Sequence, residues 1–123
     1  MMVELYNKLD SLIADGEMDE AESLVYAAAD ALAADAAIMH SSGDYYGAVE
    51  MFRRIVELMR RYYVENCDFA KIKLSISEIY SFLGDAPAAK KELSEAIAIM
   101  KNELGEDHQS VIDALEKLRT LRD

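Results

Sequence analysis

The sequence predicts an all-α protein of stacked antiparallel helical hairpins, about six helices in 123 residues. Three observations predict it. Apolar residues recur at spacings of three and four rather than two, the period of a helix face and not of a strand. Asp15-Gly16, Gly43-Asp44, Gly84-Asp85 and Gly105 punctuate the chain at intervals that fit helices. The joining segments are short, so consecutive helices must run antiparallel. Apolar residues make up 52%, and a chain of this size buries roughly two thirds of its unfolded surface.

Each element has its own signals. Leu5, Leu9, Leu12 and Ile13 form the first apolar stripe, and Gly16 ends it by taking the left-handed conformation cheaply. Met18, Ala21, Val25, Ala28, Leu32, Ala36 and Met39 form one stripe over 18–41. Ser42-Gly43 breaks it, and Asp44 is placed to cap the next helix. Ala48, Met51, Phe52, Ile55, Val56, Leu58 and Met59 mark a third helix running to about Val64. A turn follows over 66–68, with Asp68 as the expected cap of a fourth helix carrying Ile72, Leu74, Ile76, Ile79, Tyr80 and Leu83. Gly84 stops that helix, and Asp85 caps a fifth with Pro87 in its first turn, where a missing N–H costs little. Leu93, Ala96, Ile97, Ile99 and Met100 form its apolar face. Gly105 ends it, Asp107 is the expected cap of the sixth, and Val111, Ala114, Leu115, Leu118 and Leu121 give that helix its face.

The second segment is unusual. Gly16 and Gly43 are 27 residues apart, too close for a helix, a turn and another helix. Residues 18–41 contain no Gly and no Pro, and nine of residues 21–37 are Ala, the best helix former. One continuous helix of roughly 36 Å is expected. The alternative is a kinked pair broken near Asp30 or Asp35.

Aligned on their glycines, DGEMDEA (15–21), SGDYYGA (42–48) and LGDAPAA (83–89) share one frame, with Ala five positions after Gly. Beyond the last two turns the match continues at an offset of 41, where Ala48 meets Ala89, Phe52 meets Leu93, Val56 meets Ile97 and Met59 meets Met100. Gly permits the turn, the small Ala lets two helices approach, and the larger residues fill the gap to the next hairpin. This frame resembles the tetratricopeptide repeat, most closely over 36–104, with Tyr45 or Tyr80 and Phe52 or Leu93 at the family's aromatic and apolar positions. The offset exceeds the usual 34 residues. AIAIMKNELGEDHQSV (96–111) is similar to the longer kinesin-light-chain subclass, and to the C-terminal helical lobe of SET- and MYND-domain methyltransferases. Nothing resembles the SET or MYND domains, so methyltransferase activity does not carry over. The expected organisation is a single domain: repeat one over about 2–31, repeat two over about 29–66, repeat three over about 68–104, and a capping helix over about 107–122.

Charge is distributed unevenly. Residues 1–50 hold 11 acids and one base, Lys8; residues 51–123 hold 13 acids and 12 bases. The difference, -10 against -1, sums to the net charge of -11. A nucleic-acid partner requires a basic face, so none is expected. No run of about 18 uncharged apolar residues is present, so no membrane partner is expected either. The N-terminus lacks a basic stretch followed by an apolar core, and the single cysteine, Cys67, allows no disulfide within the chain. A cytoplasmic location is expected.

Signals of catalysis are weak, and neither enzyme activity nor a cofactor or metal is expected. His40 and His108 are 68 residues apart and no motif accompanies Cys67. Asp30, Asp35 and His40 are spaced by five and share no helix face. No HExxH, EF-hand loop, phosphate-binding Gly loop or GxSxG occurs. His108, in GEDH at a helix start, suits a capping role. The seven Met residues read as core filler, or alternatively as a Met-rich groove. Arg53, Arg54, Arg60 and Arg61 form one basic cluster, with Glu50 and Glu57 placed for intrahelical pairs.

In the repeat family the first helix of each hairpin lines a concave groove. The resemblance therefore implies groove positions at Asp30, Ala33, Ala37 and His40 in repeat two, and at Lys71, Leu74, Glu78 and Phe82 in repeat three. Some relatives clamp a C-terminal carboxylate here. Lys71 fits one clamp position, but Ala34 and Ser75 stand where Asn and Arg belong, which disfavours a clamp. The expected function is capture of a protein or peptide segment, basic toward Asp30 and its acidic neighbours and apolar toward Leu74 and Phe82. The alternative is a structural module that self-associates through its long helix and end faces, including a homodimer that exchanges the first hairpin.

Overall fold

The computed structural model describes residues 2–62 and 66–121. Among these there are six helices and no strand: α1 (Met2–Ala14), α2 (Met18–Ser41), α3 (Tyr45–Arg61), α4 (Cys67–Phe82), α5 (Ala86–Leu104) and α6 (Gln109–Thr120). Residues 18–41 are one helix, without a break at Asp30 or Asp35. The expected end of α3 near Val64, and residue 122 of the capping segment, lie outside the described residues.

The turns at Gly16, Gly43 and Gly84 use one device. After α1, Gly16 N–H donates to Ile13 C=O at 3.1 Å and Glu17 N–H to Leu12 C=O at 2.8 Å. The same pair recurs at Gly43 and Asp44 (3.1 and 2.8 Å) and at Gly84 and Asp85 (3.1 and 2.9 Å). The pattern satisfies the last carbonyls of each helix and requires positive φ at the glycine, which is 85° at Gly43 and 84° at Gly84. Asp44 and Asp85 then cap α3 and α5, accepting from Gly47 N–H and Ala88 N–H. Two caps differ from expectation. Asn66, not Asp68, caps α4, its Oδ1 accepting from Asp68 and Phe69 N–H. His108, not Asp107, caps α6, its Nδ1 accepting from Ser110 N–H. In both turns several adjacent residues can cap, and the backbone settles which one sits at the half-extended position.

Three apolar clusters run along the stack. Leu9, Ala21, Val25 and Leu58 join α1 to the first half of α2 and the end of α3. Ala29, Ala48, Val49, Ile55, Val56, Met59, Phe69, Ile76 and Ile79 form the central core of α2, α3 and α4. Ala70, Leu93, Ala96, Ile97, Met100, Val111 and Ala114 join α4, α5 and α6. α1 and α3 both run antiparallel to α2; they share Ala21 and Val25 in its first half, and α3 continues along the rest. Met18 and Ile13, expected on apolar stripes, are exposed instead. They flank the turn at Gly16, where no further helix covers them.

Candidate functional site

Openings in the stack lie between α2, α3 and α4, and between α4 and α6. The Gly43 turn brings Tyr45, the first residue of α3, beside His40 in the last turn of α2, with ring centroids 5.3 Å apart and planes at 71°. Phe82 ends α4 and packs its ring 4.7 Å from Tyr45 at 49°. Around these rings lies an open concavity of ≈ 490 Å³, lined also by Ala37, Phe52, Ser75, Glu78 and Ile79. Phe82 is 69% exposed although it is a large apolar residue.

Of the eight residues implied by the family resemblance, Ala37, His40, Glu78 and Phe82 come together in this concavity. Lys71 and Leu74 line a neighbouring valley of ≈ 230 Å³ between α4 and α6, with Cys67, Met100, Ala114 and Lys117. Lys117 donates to Glu78 at 3.2 Å and so ties α6 to α4. Asp30 lies apart on a shallow strip of α2 with Asp19, Glu22 and Tyr26. Ala33 packs half-buried against the central core. The sequence reading placed the groove on the first helix of each hairpin and so missed Tyr45 and Phe52 of α3. The signal was the tight Gly43 turn, which brings the start of α3 to the rim.

Electrostatics separate the two ends. α2 carries Asp19, Glu20, Glu22, Asp30 and Asp35 and no Lys or Arg. Among the described residues none of these five is in an ion pair. The four Arg of α3 are engaged inside the chain, mostly across helices rather than within α3 as expected. Arg53 donates to Tyr80 Oη (2.6 Å) and faces Glu92 (3.3 Å). Arg60 reaches Glu95 (3.3 Å), and Arg61 reaches Asp10 (3.4 Å) and stacks on Tyr6. Arg54 pairs within α3, with Glu50 at 3.9 Å.

An ionic chain with a buried centre links α3, α4 and α5. Lys73 and Glu92, 3% and 4% exposed, pair at 2.8 Å. Lys73 also reaches Glu95 at 2.5 Å, so that the order is Arg53–Glu92–Lys73–Glu95–Arg60. Burial pushes the Glu95 carboxyl up, but Lys73, with Arg60 and Lys91, outweighs it and holds the group below its ordinary value. At the other end, burial first, then the Glu57 charge, raises the Tyr6 phenol, against the lowering effect of Arg61. The Tyr6 hydroxyl is buried without a hydrogen-bond partner. No His, Cys, Asp or Glu group of three among the described residues is placed to hold a metal ion. No described helix is long and apolar enough to cross a membrane.

No family model matches the chain, and no curated protein matches it. Among solved structures it is similar to BtubC (BKLC) from P. vanneervenii, with a TM-score of 0.70 and 18% identity over 98% of this chain and 54% of that one. This chain therefore spans about half the length of that protein. The likeness shows the fold: an all-α, tetratricopeptide-like stack of helical hairpins.

Proposed function

We propose that the chain is a non-catalytic protein-interaction module whose concave face holds a helical or extended protein segment. The observation that carries this reading is the open concavity at His40, Tyr45, Phe52 and Phe82, where an aromatic side chain is left in water on a rigid helical frame. The segment is basic where it passes α2, because among the described residues the acids there have no cation of their own, and apolar where it meets Leu74. Within the repeat family, the 41-residue spacing of Gly43 and Gly84 and the segment 96–111 favour the longer kinesin-light-chain-like subclass.

The test is titration of a peptide library at two salt concentrations. Binding should favour basic peptides and weaken as the Debye length falls from about 10 Å at 0.1 M toward 3 Å at 1 M. Phe82→Ala should cost on the order of 2 kcal/mol if the ring is a hot spot, and Asp30→Lys should slow association. Preference for acidic peptides, or indifference to both substitutions, would sink the reading. The second reading is self-association, favoured by the exposed Val3 and Met18 at one end of the stack and Ile112 and Leu115 at the other. A mass that rises with concentration and falls on Ile112→Lys would favour it.

A further inference from the structure

With the concave face taken as the binding face, we propose that the concavity at Tyr45, Phe52 and Phe82 is an arginine pocket: it takes the guanidinium of an arginine side chain on the bound segment.

An aromatic ring presents a negative face that attracts a cation within about 6 Å of its centroid. The protein uses this contact repeatedly. Arg53 lies 5.5 Å over Tyr80, and Arg60 and Lys73 lie 5.5 and 5.6 Å from Phe69. Arg61 lies 4.4 Å over Tyr6 and 5.8 Å from Tyr62. Among the described residues the rings of Tyr45, Phe52 and Phe82 have no such cation, although they line one concavity. The Tyr45 and Phe82 planes are inclined at 49° rather than closed in a parallel stack, and Phe82 is exposed to a guest.

Two further groups select the kind of cation. The Glu78 carboxylate is in the same lining and accepts from Lys117 through Oε1 only, leaving Oε2 for a second donor. The Ser75 hydroxyl donates to Lys71 C=O at 3.2 Å, leaving its oxygen free to accept. A guanidinium offers a flat face to the rings and up to five N–H donors to these acceptors. A trimethylated ammonium would use the rings but donate to neither oxygen, and an apolar side chain would use neither the carboxylate nor the ring charge. The acids of α2, without an ion pair among the described residues, add a longer-range field that draws a cation to this side.

The test follows the aromatic ring resonances of the full chain by NMR during titration with Nα-acetyl-arginine amide. The parallel titrations use its neutral isostere Nα-acetyl-citrulline amide and Nα-acetyl-trimethyllysine amide. The arginine probe should shift Tyr45 and Phe82 saturably at millimolar concentration. Citrulline should bind about 5-fold or more weakly, and Phe82→Leu and Glu78→Gln should each weaken arginine by about 3- to 10-fold. Both positions are exposed, and the remaining ring signals report that the variants stay folded. Equal binding of citrulline, tighter binding of trimethyllysine, or no saturable shift would overturn the pocket. A library peptide that binds this face and tolerates replacement of its arginines by citrulline would also overturn it, leaving the concave face intact as the binding face. Saturable arginine binding with no library peptide bound would instead overturn the reading of the face as a peptide site.

Discussion

The hairpins α2–α3 and α4–α5 share a frame and differ in what they bury between their helices. Their turn glycines are 41 residues apart, and Ala48 and Ala89 are both fully buried at the close approach. At the same offset, Leu32, Ala36 and Met51 of the first hairpin correspond to Lys73, Ser77 and Glu92 of the second. The first hairpin therefore packs through apolar side chains, which tolerate sliding and substitution. The second packs through a buried ion pair and a Ser77 hydroxyl that donates to Ala89 C=O at 2.8 Å. Directional contacts of this kind accept one register. The ionic chain also extends to Arg53 and Arg60 of α3, so the second hairpin is tied to the first by the same residues.

The largest effect should come from breaking the ion pair on one side. Glu92→Leu leaves Lys73 buried with Glu95 alone and should cost about 3 kcal/mol in urea unfolding. The double change Lys73→Leu with Glu92→Met imports the residues of the first hairpin and should recover most of that loss, since a packed apolar pair substitutes well for a buried ionic one. Additive losses would show that the two hairpins are not interchangeable at this position. Next come the turns, where the hairpins should behave alike. Gly43→Val and Gly84→Val each force a β-branched residue to positive φ and should cost about 1–3 kcal/mol. Melting temperatures that fall for one and not the other would break the equivalence.

Ser77→Ala should cost about 1 kcal/mol, the ordinary net value of one hydrogen bond, because Ala36 already occupies the matching place in the first hairpin. The smallest effect concerns acid. Glu95 is held below its ordinary value, so the stability it contributes is present above the unfolded carboxylate range and is lost as pH falls through its folded value, below 4.5. Unfolding followed across that range should show a shallower acid-side decline in Glu95→Gln than in the wild type.

How much was legible follows the same division. The helices, the glycine turns and the caps at Asp44 and Asp85 were readable because each is a local rule, satisfied within a few residues of chain. The uninterrupted α2 was readable from the missing turn signals between Gly16 and Gly43. The ion pair was not, because Lys73 and Glu92 look like surface residues until the fold brings them together across 19 positions. The concavity was half legible. The family frame gave Ala37, His40, Glu78 and Phe82, while Tyr45 and Phe52 entered from α3, the second helix of its hairpin.

The continuity of α2 has a mechanical consequence. α1 braces only the first half of this 24-residue rod while α3 runs on along the second, and the two helices meet where Tyr62 Oη donates to Asp10 Oδ1 at 2.9 Å and Arg61 lies over Tyr6. That clasp holds the middle of α1, between Tyr6 and Asp10. Tension applied at the N-terminus must break the clasp before the rest of α1 can leave the rod. Once it gives, α1 peels away residue by residue, as a zip opens. The rod beneath has no turn at which to fold, and its second half stays gripped by α3. The N-terminal layer would yield as a fuse at low force while the concave face kept its shape.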